Sequence, residues 1–125
     1  MGTDENENSA FVRIGMSILL HAGDARNAAN DSMKKLLNGR YAEAEELLHE
    51  AKRHIQEAHK LQTDVIQKEA RLEYEGSEQR CIPLLFIHAQ DTIMTIMTEV
   101  NLIEQMETMY QKLEEKIDES YQKLS

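Results

Sequence analysis

One segment of about thirty residues, which contains neither proline nor glycine, most constrains how this chain folds. From Tyr41 to Leu72, apolar side chains recur at intervals of three and four residues, with charged residues between them. Residues three and four apart share one face of an α-helix, so this spacing predicts a single amphipathic helix. At the rise of an α-helix, that segment would be about 45 Å long.

A second helix is predicted before it. Residues 1–8 are polar and are predicted to be a disordered tail. Ser9 is suited to cap a helix, and an apolar repeat follows as far as Leu37. Gly39 then provides a residue that adopts the left-handed conformation at which helices commonly stop.

A third helix is predicted near the C-terminus. Residues 73–79 have the composition of a loop, and Pro83 is tolerated in the first turn of the helix that follows. That helix is predicted to continue at least to Met109. The alternating charge signs that follow are typical of a solvated or partner-facing helix end, so the helix is expected to extend towards the end of the chain. With 5% aromatic residues and one proline in 125 residues, the composition also favours an all-α fold. Short connections predict an antiparallel three-helix bundle, one domain over residues 9–125.

The third helix has apolar residues on more than one side. A helix that is apolar all round needs covering all round, and three helices alone cannot provide this. Self-association is the simplest explanation. The residues concerned are Leu84, Leu85, Phe86, Ile87, Ile93, Met94, Ile96 and Met97.

Charge and sorting signals narrow the class of protein. The formal net charge of −9 disfavours binding to nucleic acid or to an anionic membrane. Cys81 is the only cysteine, so no intramolecular disulfide forms. The apolar run near the N-terminus follows acidic residues rather than the basic ones of a signal peptide, and no apolar stretch is long enough to span a bilayer. We therefore expect a cytoplasmic protein.

Few residues of the sequence are candidates for a catalytic or ligand-binding role. His88 lies in an apolar stretch, and Asp91 follows it on the same helix face. Spacing alone favours the interpretation of His88 as an interior histidine with Asp91 as its local partner. His49, His54 and His59 stand five apart, which scatters them around a helix on a solvated face, and His21 has no ligand pattern around it. The sequence contains no nucleotide-binding or metalloprotease motif, so a phosphoryl group would have to arrive on another protein.

Three blocks of sequence resemble a known family in order and spacing. His88-Ala89-Gln90-Asp91, with Met94-Thr95, is similar to the phosphorylation-site signature of the lactose/cellobiose-type IIA components of the bacterial sugar phosphotransferase system. The run from His21 to Arg26 resembles that family's first helix, and blocks between Ala42 and Ala70 resemble its second. The resemblance extends over nearly the whole chain, from about Ser9 to Leu113.

This resemblance implies a fold, a reaction and a set of partners. Members of the family are three-helix protomers that form homotrimers, here a nine-helix bundle with the third helices around the axis. His88 corresponds to the residue that accepts a phosphoryl group from the carrier protein HPr and passes it to a cysteine of a IIB component. The group then reaches a β-linked disaccharide at the membrane IIC component. The chain would thus be a phosphotransferase component, a phosphohistidine carrier.

The resemblance also implies roles for neighbouring residues. Asp91 corresponds to a carboxylate that three subunits present to one another, where either shared protons or Mg²⁺ relieves the repulsion, and the family favours the ion. The family commonly has a second histidine where this chain has Thr92. Thr92 and Gln90 are candidates for hydrogen bonds to the phosphoryl oxygens, although Gln90 points away from His88 on a helix.

Two other classes of protein compete with this interpretation. A histidine-containing phosphotransfer domain of two-component signalling is also a helical bundle, but it typically has a lysine near the acceptor, where this chain has Asp91 and Thr92. A non-catalytic helical scaffold would need no phosphoryl acceptance, and its His88 would simply be buried.

Overall fold

The computed structural model describes residues 2–74, Gly76 and residues 82–124, with side chains from residue 9 to 72 and again from 82. The residues described form three α-helices and no strand: α1 (Gly2–Leu37), α2 (Tyr41–Tyr74) and α3 (Leu84–Leu124). The predicted all-α class is therefore confirmed.

The ends of the helices differ from the predictions in two places. Helix α1 begins at Gly2 rather than at Ser9, so residues 2–8 are helical where the sequence predicted a disordered tail. No proline or glycine interrupts residues 3–14, and nothing in the backbone chemistry therefore stops the helix earlier. Helix α2 extends to Tyr74 and so includes the first two residues of the predicted loop over 73–79. Within that loop, Gly76 has a positive φ of 79°. The rest of that loop lies outside the described residues.

The stop between α1 and α2 is as predicted. Gly39 has a φ of 78°, in the left-handed region that side chains disfavour. The amide of Arg40 donates to the carbonyl of Lys35 at 2.9 Å, and the amide of Gly39 donates to the carbonyl of Leu36 at 3.0 Å. These two bonds define a Schellman motif, which satisfies carbonyls that the end of the helix leaves free. A short connection to α2 follows directly.

Small residues allow the first two helices to pack closely. Ala44, Ala51 and Ala58 stand seven apart on α2, and all three are buried. The predicted apolar stripe of α2 contributes half-buried side chains beside them, whereas Ile66 is exposed. Larger side chains fill the core from the other two helices. They are Phe11, Ile18 and Leu36 of α1 and Phe86, Ile93, Ile96, Val100 and Ile103 of α3.

A buried polar cluster joins the three helices. The hydroxyl oxygen of Ser32 lies 2.6 Å from the carbonyl oxygen of Ala44 and 2.7 Å from a carboxyl oxygen of Glu107. Burial raises the pKa of Glu107, and the hydrogen bond to Ser32 only partly opposes this. One hydroxyl proton cannot serve two acceptors, so the geometry fits a protonated Glu107 that donates to Ser32 while Ser32 donates to Ala44.

Exposed ion pairs also connect the helices. The guanidinium of Arg26 donates to both carboxylate oxygens of Glu99, at 2.8 and 2.7 Å. These bonds hold the pKa of Glu99 below its usual range and raise that of Arg26. Lys52 of α2 forms a second ion pair, with one carboxylate oxygen of Glu104 on α3. Because all four side chains are substantially exposed, each pair is worth at most about 1 kcal/mol.

Within the described part of the chain, none of the helices combines the length and the apolar character that crossing a membrane requires.

Candidate functional site

The first turns of α3 are held firmly against α1. Pro83 provides the first carbonyl of the helix, which accepts a hydrogen bond from the amide of Phe86 at 3.0 Å. The ring of Phe86 is buried and meets Phe11 edge-to-face, with 5.5 Å between ring centroids. The backbones approach closely here, since a Cβ on Gly15 would lie 3.4 Å from the Cα of Phe86. This anchoring fixes the position of the residues that follow on α3.

His88 and Asp91 lie on the outer side of this anchored segment. Both residues are exposed, and Leu84 and Thr95 share their face at helical spacing. No hydrogen bond joins the imidazole of His88 to the carboxylate of Asp91, although both belong to the described residues. The interpretation of His88 as an interior histidine is therefore wrong for the single chain. Instead, an unpaired imidazole faces outward from a rigid support.

The hydroxyl of Thr92 is already engaged. Its Oγ1 donates to the carbonyl oxygen of His88 at 2.8 Å, four residues earlier on the same helix. Thr95 donates in the same way to the carbonyl oxygen of Asp91 at 2.9 Å. A threonine has only one hydroxyl proton, so support of a phosphoryl group by Thr92 would require a rotation about χ1.

Gln90 is half-buried beside Ala89, which is fully buried. It stands two residues from His88, and residues at that spacing do not face each other on a helix. The amide of Gln90 therefore does not lie beside the imidazole within one chain.

No group of three or more ligands that could hold a metal ion occurs among the described residues. Asp91 contributes one exposed carboxylate per chain. A hard divalent cation takes six or more oxygen ligands, which this one side chain cannot provide by itself. A cation at Asp91 would require carboxylates from several copies of the chain.

A contact between two other histidines was missed from the sequence. The Nδ1 atoms of His21 and His54 lie 3.0 Å apart, across the packing of α1 on α2. The side chain of His54 is 18% exposed, so its predicted place on a solvated face was wrong, whereas His49 and His59 are exposed as predicted. This pair forms because of how α1 and α2 are rotated relative to each other. The spacing of residues within one helix does not predict such a contact.

Comparison with known proteins identifies the family of the chain. A model of the family described as PTS system, lactose/cellobiose-specific IIA subunit matches residues 13–111 of the chain, which include His88 and Asp91. The chain belongs to this IIA family. As such it is a phosphotransferase carrier component, in agreement with the resemblance of its sequence blocks.

Three relatives illustrate the similarity. The lichenan-specific phosphotransferase enzyme IIA component of Bacillus subtilis is 32% identical over 108 residues, which cover 86% of this chain and 94% of that protein. The crystal structure of the cellobiose-specific enzyme IIA of Bacillus anthracis is 38% identical, with a TM-score of 0.71, over 83% of this chain and 91% of the other.

A third relative was solved together with a partner. It is the IIA(chitobiose)–HPr complex of the N,N′-diacetylchitobiose branch of the Escherichia coli phosphotransferase system. Its matching chain is 26% identical to this IIA chain, with a TM-score of 0.67, over 83% of this chain and 96% of that one.

Proposed function

We propose that this IIA protein is a cytoplasmic carrier that accepts a phosphoryl group from HPr on His88 and passes it to a cysteine of a IIB component. The observation that carries the proposal is the exposed, unpaired imidazole of His88 on the anchored start of α3, in a chain of the IIA family. The solved complex of a related IIA protein with HPr supports the choice of donor.

The environment of His88 suits this reaction. A neutral imidazole nitrogen is a good nucleophile near neutral pH, and the phosphorylated ring remains a good donor. As the new N–P bond forms, the bond between phosphorus and its carrier atom on HPr breaks. In the second transfer that N–P bond breaks while an S–P bond forms on IIB. Exposed apolar neighbours such as Ile87 and Met94 would exclude water when a partner covers the site.

An antiparallel arrangement within the chain is the first part of the proposed assembly. Contacts between α1 and α2 run in opposite sequence directions, because His21 meets His54 while Ser32 meets Ala44. Three such protomers would then form a homotrimer with α3 at the centre. The exposed apolar side chains along α3 support this, since an isolated chain leaves them in water.

Asp91 would then come close to its two counterparts. Three desolvated carboxylates repel one another, and this cost is relieved either by shared protons or by one Mg²⁺ bound to their oxygens. We favour the ion, of which Asp91 would be the ligand in each subunit. A chelator should then weaken the assembly, and an unchanged molar mass with chelator would favour shared protons.

The sugar delivered by the system would be a β-linked disaccharide of the lactose, cellobiose or chitobiose class. Curated relatives carry names for lichenan, lactose, cellobiose and N,N′-diacetylchitobiose. The membrane IIC component, which contacts the sugar, would make the choice among them.

Phosphoryl transfer followed by intact mass tests the proposal. The purified chain is incubated with phosphoenolpyruvate, enzyme I and HPr, and we expect one added phosphate per chain. His88→Gln should abolish this addition while the protein stays folded. The matched control is His59→Gln, which changes an exposed histidine on α2 and should leave the phosphorylation rate unchanged. Full phosphorylation of folded His88→Gln would contradict our assignment, and a wild type that takes up no phosphate would favour a helical scaffold.

A further inference from the structure

Two histidines that the proposed function does not use meet between α1 and α2. The Nδ1 atoms of His21 and His54 lie 3.0 Å apart, and both residues are half-buried. The ring centroids are 5.3 Å apart, so the rings face each other through these nitrogens rather than stacking. Two lone pairs at this distance would repel each other. One of the two nitrogens therefore carries a proton and donates it to the other.

Small buried residues fix the backbones on both sides of this histidine pair. They are Ala22 and Ala25 on α1 and Ala51 and Ala58 on α2, none of which is accessible to solvent. Alanine has no side-chain rotamers, so the packing of the two helices sets the distance between the imidazoles. Ligands that are already held together bind an ion at a lower cost in entropy.

A carboxylate stands beside the outer nitrogen of one ring. Oε1 of Glu50 lies 3.9 Å from Nε2 of His54. A carboxylate at this position favours the tautomer with hydrogen on Nε2, which leaves the lone pair on Nδ1. His54 is therefore the acceptor within the pair, and His21 is the donor. Histidines that bind metals commonly have this arrangement, in which the second ring nitrogen is directed towards a carboxylate.

The charged residues around the pair favour a cation. Positions three and four residues from either histidine share its helix face, and every charged residue at these positions is acidic. The three carboxylates are Asp24 on α1 and Glu50 and Glu57 on α2. Their combined field attracts positive charge to this part of the surface.

We propose that His21 and His54 form a binding site for a divalent transition metal ion such as Zn²⁺, which the two Nδ1 atoms ligate between α1 and α2. Imidazole nitrogen suits Zn²⁺, Ni²⁺ and Cu²⁺, whereas Mg²⁺ prefers oxygen ligands. Two nitrogens bound to one tetrahedral Zn²⁺ at about 2.0–2.1 Å stand about 3.3 Å apart, so the pair has to open by only about 0.3 Å. Each ring also turns about χ2, a torsion with broad preferences in histidine, to direct its lone pair at the ion.

Binding leaves both rings neutral. The proton of His21 moves through solvent from Nδ1 to Nε2, while the proton of His54 stays on Nε2. Each imidazole keeps one proton, and both Nδ1 lone pairs become available to the metal. Water takes the remaining coordination positions, because the described residues contain no group of three ligands. The ion then joins α1 to α2, and this role does not depend on the phosphoryl acceptor of α3.

Calorimetric titration of the full-length chain with Zn²⁺ tests the proposal. Excess Mg²⁺ is present throughout, so that any site built from oxygen ligands is already occupied. We expect His21→Gln and His54→Gln each to lower the affinity for Zn²⁺ by about tenfold or more, at least the usual loss when an outer-shell partner of a metal site is removed. The double variant should bind no more weakly than either single one, because a lone imidazole does not replace the pair.

Two further variants are the controls for this titration. His59→Gln changes an exposed histidine of α2 and should leave the affinity for Zn²⁺ unchanged. His88→Gln should also retain it, since the phosphoryl acceptor is not a ligand of this site. Circular dichroism should show the same helix content in all the variants.

The carboxylate beside His54 gives a second test. We expect Glu50→Gln to weaken Zn²⁺ binding by about tenfold, because the amide no longer holds the Nε2–H of His54 as a carboxylate does. Glu46→Gln is the matched control: it removes the same charge one helical turn farther from His54 and should have little effect.

Nitrogen-15 spectra of the imidazoles identify the atoms that bind the ion. Zn²⁺ should shift the Nδ1 resonances of His21 and His54, with hydrogen on Nε2 of both rings. Equal affinities of the wild type and the two pair variants, or shifts confined to Nε2, would overturn the proposal. Zn²⁺ binding that only His88→Gln abolishes would overturn it as well. Since none of these measurements uses a phosphoryl donor, failure here would leave the proposed function intact.

Discussion

The two halves of α3 are built in opposite ways. In the N-terminal half, the inner side is apolar, with Phe86 and Ile93 buried against α1, while the outer side presents His88 and Asp91 to solvent. In the C-terminal half, the inner side buries the carboxyl group of Glu107, and the outer side is apolar. That outer side consists of Leu102, Met106, Met109, Leu113, Ile117 and Leu124.

This inversion separates two tasks along one helix. A group that exchanges phosphoryl groups with passing partners has to stay accessible, so the surface around His88 cannot be wholly buried in a permanent interface. The C-terminal half has no such constraint, and its outward apolar side chains gain most when other copies cover them. The phosphoryl acceptor lies in the N-terminal half of α3, whereas a continuous exposed apolar face available for assembly lies in the C-terminal half, and substitutions should separate the two.

Exchanging the character of the two outer faces should have the largest effect. We expect Leu102→Asp to weaken the assembly by about a hundredfold or more, because it desolvates a carboxylate in each copy. We expect Asp91→Leu to preserve or strengthen the assembly, because packing replaces repelling charges. Sedimentation equilibrium measures both. Asn101→Asp, which adds the same charge at the adjacent exposed position, is the control for the first variant. A monomeric Asp91→Leu protein would show that Asp91 does not lie at the centre of the assembly.

Local sequence signals predicted most of the fold. The stop at Gly39 follows from the backbone preference of that residue, and the structure confirms it. Helix α3 was predicted to begin near Arg80–Pro83, with Pro83 in its first turn, and it begins at Leu84, directly after that proline. The start of α1 at Gly2 was missed because polar composition was taken as a sign of disorder, although nothing in residues 3–14 breaks a helix. Boundaries set by an identifiable breaker were predictable, and one that lacked a breaker was not.

The candidate site was predictable only where one helix determines it. A spacing of three residues was enough to place His88 and Asp91 on the same face of α3. Contacts between helices depend on how each helix is rotated about its axis, and an isolated sequence does not specify this. Hence the pairing of His21 with His54 and the burial of Glu107 were both missed.

The close approach that supports the N-terminal half should be the next most sensitive point. Gly15→Leu would force atoms between the backbones of α1 and α3, where a Cβ already lies 3.4 Å from the Cα of Phe86. We expect the free energy of unfolding to fall by about 1–3 kcal/mol, the usual cost of overpacking, and the phosphorylation of His88 to slow. Urea unfolding and the transfer assay measure the two effects.

A second glycine of α1 provides the matched control for this substitution. A Cβ on Gly23 would meet no atom within 4 Å. Because leucine favours a helix more than glycine does, we expect Gly23→Leu to raise the free energy of unfolding by somewhat under about 1 kcal/mol. Equal losses in the two variants would mean that the contact with Phe86 does not account for the effect.

The smallest effect concerns the inner side of the C-terminal half. Because burial raises the pKa of Glu107, the folded chain holds this proton at pH values where the unfolded chain has released it. The resulting stability is fully present below the ordinary pKa of 4.5 and is lost as the pH rises through the raised value.

Glu107→Gln keeps a donor to Ser32 but does not titrate. We expect this variant to gain on the order of 1 kcal/mol relative to wild type as pH increases, measured by urea unfolding. Glu115→Gln, on the exposed face, should show the wild-type pH dependence. A constant difference between Glu107→Gln and wild type across the pH range would mean that Glu107 stays ionised in the core, and that Ser32 donates to it instead of to Ala44.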